Sequence, residues 1–165
     1  MDDIAAAAGV ARSTVYVYFA SRSELLVACI EGLYEQLAGS IEHSTEGEPA
    51  DRLTILFDAL LSTIDLQPAF FRLALATQGA PGQAGEAVAK QLSLIGLEMS
   101  AMLIDIIDEG TRRGTWSVTA PERVAVLIGQ QIYGALAVRA GEADPESSEV
   151  AAEELSRFVI SGLRA

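Results

Sequence analysis

The sequence predicts an all-α protein of about eight helices. Apolar residues recur at spacings of three and four along most of the chain, and no long stretch alternates apolar and polar residues as a strand would. Breaks rich in glycine and proline separate the apolar segments. With 165 residues, of which 50% are hydrophobic, the chain can bury a sizeable core and is too apolar to be disordered.

The first two predicted helices are short and meet at Gly9. An alanine-rich segment precedes this glycine, where the chain can leave a helix through a left-handed conformation that only glycine adopts at low cost. Either Asp2 or Asp3 is expected to cap the first helix, and either Arg12 or Ser13 to open the second.

The spacing of small and apolar residues in this segment is typical of a helix-turn-helix. Ala5 would lie where the two helices cross, and Val10 and Val15 would fill the angle between them. In such a unit the second helix enters the major groove of duplex DNA. The same pattern also occurs as an ordinary helix pair in many helical proteins, so the spacing alone leaves both interpretations open.

A long third helix is predicted from Ser21 to about His43, because Ser21 and Glu24 form the pattern of a capping box. A fourth helix follows from Pro49 to Leu66, since proline is favoured in the first turn of a helix. A fifth, short helix begins at Pro68 and is expected to extend through Leu75, ahead of a glycine-rich loop over residues 78–85.

The sixth predicted helix is long and covers residues 86–113. Arg112 and Arg113 lie in its last turn, where positive charge favours the helix dipole, and Gly114 ends it. Thr119 and Pro121 open a seventh helix that continues to Arg139. After a turn over residues 141–145, residues 146–163 form the last helix.

The charge distribution and the residue types restrict the possible functions. The net charge is −12, but residues 1–22 are balanced, so the acidity belongs to the remainder of the chain and can face away from phosphate. Such charge is largely screened beyond about 8 Å at physiological salt. No apolar run is long enough to span a membrane and no signal pattern begins the chain, so we expect a cytoplasmic protein.

Catalysis is not expected from this set of side chains. The only histidine is His43, and no metal-ligand spacing or nucleophile–base pair occurs, so the sequence predicts no enzyme, no metal and no cofactor. The only cysteine, Cys29, excludes an intrachain disulfide and is expected to be a small buried apolar residue.

Residues 9–26 read GVARSTVYVYFASRSELL. This segment closely resembles the signature of the TetR (tetracycline-repressor) family of bacterial transcription regulators. A weaker likeness is the segment EGTRRGTW at residues 109–116, which is similar to a turn that often closes a long helix in that family. The resemblance implies a DNA-binding helix-turn-helix lobe, residues 1–22, followed by a helical effector-binding and dimerisation domain, residues 23–165.

The resemblance also implies which residues contact DNA. The expected contacts are Arg12, Ser13, Thr14, Tyr16, Val17, Tyr18 and Arg22. Arg12 is the best candidate to read guanine, although a phosphate contact or a solvated surface position is equally compatible with the sequence. Tyr16 and Tyr18 have core packing as their alternative.

A twofold dimer is implied because one helix-turn-helix reads only a few base pairs. The expected interface lies on the last two helices and comprises Leu127, Ile128, Gln131, Ala135, Leu155, Phe158, Val159 and Gly162. These stripes would form a four-helix bundle in the dimer. The alternative is that both stripes cover the protein's own core.

Family members generally bind a small-molecule effector in the helical body, and the sequence offers large apolar side chains there with a few polar groups. The expected pocket residues are Phe57, Leu61, Phe70, Phe71, Met99, Met102, Leu103, Trp116, Gln130 and Tyr133. The alternative is an ordinary core. The resemblance, together with such a pocket, implies a repressor that leaves a palindromic operator when its effector binds.

One departure from the family keeps a second function open. TetR-like chains usually carry some 20–30 residues before this point, including a first helix that packs across the other two. Without it, Ile4, Ala8, Val15 and Phe19 would be partly uncovered. Either a preceding segment is omitted, or the chain is a shortened form: a dimeric ligand-binding helical protein that does not bind DNA.

Overall fold

The computed structural model describes residues 1–42 and 47–164. Over these ranges the chain is all-α, as predicted, with eight helices. They are α1 (Asp2–Ala7), α2 (Arg12–Tyr18), α3 (Arg22–Glu42), α4 (Pro49–Leu66), α5 (Pro68–Gln78), α6 (Gln83–Arg112), α7 (Pro121–Arg139) and α8 (Ser148–Leu163).

Most helix starts follow the expected chemistry. Proline occupies the first turn of α4, α5 and α7. Ser21 caps α3, because its Oγ accepts a hydrogen bond from the Glu24 backbone N–H at 3.1 Å. The Glu24 carboxylate in turn accepts from the Ala20 N–H at 2.6 Å, one residue before the partner expected in a capping box.

Three boundaries differ from the predictions. Neither Asp2 nor Asp3 caps α1, because both lie inside its first turn and the capping position is Met1. The glycine-rich loop is shorter than residues 78–85, since α5 continues to Gln78 and α6 begins at Gln83. The last helix begins at Ser148, two residues later than predicted, because Ser147 provides its cap.

Helix α6 is central to the body. It contacts α3, α4, α5 and α7. Among the described helices, α6 is the one whose length and apolar composition would allow it to cross a membrane. Helices α4 and α5 meet the same criterion when they are taken together as one segment with a 96° bend. Leu94 and Leu97 on α6 remain exposed.

The buried apolar residues form three clusters, and α3 contributes to all of them. Leu25 packs on a small cluster made by α1 and α2. Ile30 belongs to a second cluster with residues of α5 and α6. Leu37 and Ile41 belong to the main core, which α4, α6, α7 and α8 complete. One helix therefore connects the N-terminal helix pair to the body.

Candidate nucleic-acid interface

Helices α1 and α2 pack as the spacing of the sequence predicts, except at Val10. Ala5 is 3% exposed and Val15 is 7% exposed, so both lie between the two helices. Gly9 has a φ of +68°, the left-handed conformation expected at the turn. Val10 was expected to fill the angle but is 43% exposed, because the turn after Gly9 directs it to solvent.

The small cluster between α1 and α2 is only partly covered on its outer side. Ile4 and Ala8 are exposed and Phe19 is half-buried, as expected for this pair of helices. Val15 was also expected to be partly uncovered, but this was wrong, because Met1, which precedes α1, and Ala5 within α1 pack against it.

The outer face of α2 presents all of the residues predicted to contact DNA except Arg22, which begins α3. Ser13 and Thr14 are exposed in its first turn. Tyr16, Val17 and Tyr18 are 43%, 77% and 71% exposed, so neither tyrosine is taken up by the protein's own core. Apolar and aromatic groups this exposed on a short helix are available to a partner.

Arg12 begins α2 and is held by two neighbours. Its Nε lies 2.9 Å from Asp2 Oδ1, and its Nη1 lies 3.2 Å from Asp2 Oδ2. The guanidinium also lies over the ring of Tyr16, 5.4 Å from the ring centroid. The interaction with Tyr16 and the charge of Asp2 raise the pKa of Arg12. Like any arginine, it is positively charged at physiological pH.

Arg22 adds a second positive charge on this side of the molecule. It is the first residue of α3 and is exposed. Ser21 takes the Glu24 N–H at the N-terminus of α3, and the positive end of the helix dipole lies at this point. An arginine at this point therefore reinforces an environment that favours a phosphate.

Helix α3 connects this surface to the body through adjacent residues. Leu25 contacts the α1–α2 cluster, and Leu26 packs on the second cluster with Phe70 and Leu92. Farther along, Tyr34 hydrogen-bonds to Glu98 of α6, and burial together with this bond raises the pKa of Tyr34 to about 12. Helix α3 therefore contacts both the α1–α2 cluster and α6.

The residues predicted to form an effector pocket do not surround one cavity in the described ranges. Phe57, Leu61, Leu103 and Trp116 are buried in the main core. Phe70 packs in the second cluster, and Phe71, Met99 and Met102 are half-buried against the main core. Gln130 and Tyr133 of α7 are exposed, and the Tyr133 hydroxyl lies 3.3 Å from Gln78 Oε1.

Two hollows lie near these residues. A cavity of about 300 Å³ lies among α3, α4 and α6 and includes Met102 of the predicted set. Its lining residues are Ile41, Arg52, Leu56, Ala101, Met102, Asp105 and Ile106. A wider groove of about 460 Å³ lies between α7 and α8 and includes Leu61 and Gln130.

The predicted dimer stripe is mostly exposed, with two exceptions. Leu127 and Phe158 are 65% and 67% exposed, Gln131 and Gly162 are exposed, and Ala135 and Leu155 are half-buried. Ile128 and Val159 were expected at the interface, but they are 5% and 7% exposed. Each lies on the side of its helix that faces the main core, so both belong to the core of the single chain.

Cys29 was expected to be buried, but this was wrong, because it is exposed. Leu26 and Ile30 share the face of α3 that meets the second cluster, and Cys29 lies about 100° around the helix from Ile30. His43 lies outside the described residues. Among those described, no three His, Cys, Asp or Glu side chains are grouped to hold a metal ion.

Residues 1–29 match the sequence model of bacterial regulatory proteins of the tetR family. The chain resembles the tetR family. The match covers α1, α2 and the start of α3, which are the elements that build the exposed α2 face. The resemblance predicted from residues 9–26 is therefore confirmed.

Solved structures of tetR-like proteins share the fold over almost the whole chain. The fatty acid degradation regulator FadR from Bacillus halodurans has 18% identity and a TM-score of 0.78, over 99% of this chain and 84% of its own. PfmR from Thermus thermophilus, a TetR family transcriptional regulator, has 17% identity and a TM-score of 0.78, over 99% and 88%.

A third similar structure is the ketosteroid transcriptional regulator KstR2 of Mycobacterium tuberculosis. It has 19% identity and a TM-score of 0.68, over 99% of this chain and 83% of its own. At these identities the likeness establishes the tetR-like fold alone. No curated protein matches the chain in sequence.

Proposed function

We propose that this protein is a cytoplasmic, DNA-binding transcriptional regulator, not an enzyme, that represses from a palindromic operator and releases it when a small molecule binds. The observation that carries the proposal is the outer face of α2, where Arg12, Tyr16 and Tyr18 are exposed above a packed helix-turn-helix. Residues 1–22 would bind DNA, and residues 23–165 would bind the effector and the second copy.

The contacts on DNA would divide into two kinds. Arg12 has the planar group that matches guanine O6 and N7 in the major groove. Tyr18 and Arg22 would contact phosphate, the latter with help from the N-terminus of α3. Ser13 and Thr14 in the first turn of α2, and Val17 near its end, would contact base edges or the backbone.

A homodimer would supply the two copies of α2 that a palindrome needs. Leu127, Gln131 and Ala135 follow one face of α7, and Leu155, Phe158 and Gly162 follow one face of α8, at spacings of three and four residues. The groove of about 460 Å³ separates these faces on each copy. Packing the two copies against each other would cover the stripes in a four-helix bundle.

The cavity among α3, α4 and α6 is the best supported effector site. Its walls are mainly apolar. A largely apolar ligand would suit such a site. One similar structure is named as a fatty acid degradation regulator and another as a ketosteroid transcriptional regulator. Fatty acids and ketosteroids are therefore the first ligand classes to examine.

Ligand binding would act through α3, because Ile41 lines the cavity and Leu25 packs on the α1–α2 cluster. These residues are 16 positions apart, or about 24 Å along a helix. A ligand that favours one tilt of α3 would alter the separation of the two α2 helices. A shift from 99% to 1% competent dimer requires about 5.5 kcal/mol of differential affinity.

The DNA-binding part is tested by selecting sequences from a random duplex library with the purified chain. We expect an enriched palindrome, bound in a gel shift by the wild type and by R112A, a variant of an exposed arginine at the far end of α6. R12A and Y18A should lose at least tenfold in affinity. Enrichment of no sequence, or wild-type affinity in R12A, contradicts the proposal.

The effector part is tested with two named probes, decanoic acid and androstenedione. We expect one of them to raise the melting temperature and to release the selected DNA from the wild type. M102W, which fills the cavity, should lose both effects, and L97W, on the exposed side of α6, should keep them. A response that survives in M102W contradicts this location.

A dimeric ligand-binding protein that does not bind DNA is the second candidate. It is favoured by the exposure of Ile4 and Val10 on the α1–α2 pair, at 37% and 43%. It predicts dimers and a probe response in the experiments above together with no enriched DNA.

A further inference from the structure

Asp2 and Arg12 are joined by a two-point contact between α1 and α2. Nη1 of Arg12 donates to Oδ2 of Asp2 at 3.2 Å, and Nε of Arg12 lies 2.9 Å from Oδ1 in the same ion pair. Both side chains are otherwise exposed, at 63% for Arg12 and 64% for Asp2. The carboxylate therefore meets the guanidinium along one edge and leaves the rest of it open to solvent.

The open part of the guanidinium is the part that can read a base. A guanidinium carries five N–H donors in one plane, and Asp2 accepts one of them, from Nη1. The remaining donors, which include both on Nη2, leave an edge that can donate to guanine O6 and N7 together. The Tyr16 ring, 5.4 Å from the guanidinium carbon, restricts the plane from one side.

The Asp2–Arg12 ion pair should contribute little to the free energy of unfolding. An exposed ion pair contributes little in water, since solvent screens the charges and both side chains lose freedom. In a base contact the same loss of freedom is useful, because an arginine that is already oriented has less freedom left to lose when DNA binds. The contact fits a role in recognition better than a role in holding α1 to α2.

We propose that Asp2 is a positioning residue for base reading: it fixes the Arg12 guanidinium against Tyr16 and directs its free edge toward a guanine in the major groove. This inference rests on the proposed DNA-binding function. Asp2 is acidic and repels phosphate, yet in this role it would favour the recognition of one DNA sequence. Asp2 should therefore lower the affinity for DNA in general and raise the preference for one base.

Asp3 provides a matched control. It lies beside Asp2 in the first turn of α1, has the same charge and is exposed. In the described structure, the hydrogen bond that Arg12 donates to a carboxylate and its ion pair both go to Asp2 and not to Asp3. D2N and D3N therefore change the charge near DNA equally, but only D2N removes the carboxylate from Arg12.

The experiment measures the affinity of each variant for the selected operator and for copies in which one guanine at a time is replaced by 7-deazaguanine, which lacks the N7 acceptor. We expect the wild type to lose about 5-fold to 150-fold at one guanine, as for a bidentate arginine contact. D3N should lose the same amount. D2N should lose less than about threefold at that guanine, and should bind unrelated DNA at least as well as the wild type.

R12A and the double variant D2N/R12A complete the test. Both should show the same weak discrimination at that guanine, because Asp2 acts only through Arg12. Circular dichroism of D2N and D3N checks that α1 and α2 remain folded in both.

Two outcomes overturn the inference while leaving the proposed function intact. In the first, D2N retains the full guanine discrimination; tighter binding of the operator by D2N in that case would make Asp2 a competitor for Arg12. In the second, D2N and D3N behave alike, so only the charge matters. Enrichment of no DNA by the wild type instead contradicts the proposed function, and this inference with it.

Discussion

Trp116 packs directly on the backbone of Gly110. A Cβ placed on Gly110 would lie 2.1 Å from Cε3 of the Trp116 ring, much closer than any two carbon atoms approach without a bond. Trp116 is 4% exposed and belongs to the main core, so neighbouring core residues enclose the ring. The glycine in the last turns of α6 therefore makes room for the loop that follows the helix.

Replacing this glycine should destabilise the protein. G110A gains helix propensity, but the overlap with the indole ring should lower the free energy of unfolding by about 1–3 kcal/mol. The matched control is G96A on the same helix, where a Cβ meets nothing within 4 Å. G96A should be more stable than the wild type by up to about 1 kcal/mol. Urea denaturation measures both, and equal stability of the two variants would contradict the packing described here.

The Arg139–Asp65 pair supports the junction of α4, α7 and the turn before α8. Arg139 is 6% exposed, and its Nε and Nη2 each lie 2.6 Å from a carboxylate oxygen of Asp65. D65N leaves this buried cation without its counter-charge, at a cost of about 2–3 kcal/mol, since Asp65 is partly open to water. D144N, at an exposed site in the turn, should change stability by less than about 0.5 kcal/mol. Comparable losses in both variants would show that the pair has no special role.

Phe158 should be central to self-association. It is 67% exposed on the stripe of α8 that we assign to the dimer, and F158E would place a charge in an apolar interface. We expect the dimer dissociation constant to rise at least about 30-fold, as for a hot-spot residue. L97E is the control, because Leu97 on α6 is 68% exposed but lies outside the stripe. Sedimentation velocity reports the oligomeric state, and a dimer that survives F158E but not L97E would place the interface on α6.

Cys29 should react in the folded protein, because its side chain is exposed. Burial of part of the thiol raises its pKa, so less thiolate is present at pH 8 than in the unfolded chain. Reaction with Ellman's reagent should be complete without denaturant, slower than in the unfolded protein, and faster as the pH rises toward the thiol pKa. Absence of reaction until the protein unfolds would instead support the buried cysteine that the sequence suggested.

The sequence by itself determined the helical class, the number of helices in the described ranges and the tetR-like character of the N-terminus. These properties depend on neighbours in the chain: three- and four-residue apolar spacing, proline in a first turn, serine with glutamate at a cap, and glycine at a turn. Gly9, Ser21 and Gly114 could therefore be interpreted from residues within one or two helical turns of them.

The tertiary structure decided which side of each helix faces the core. An apolar residue on an amphipathic helix can serve the protein's own core or a partner, and only the packing of distant segments distinguishes the two. Ile128 and Val159 are in the core, whereas Leu127 and Phe158 are exposed beside them, and Cys29 and Val10 are in solvent. The contact of Arg12 with Asp2 belongs to the same class, because it depends on how two helices cross and not on the order of residues within either of them.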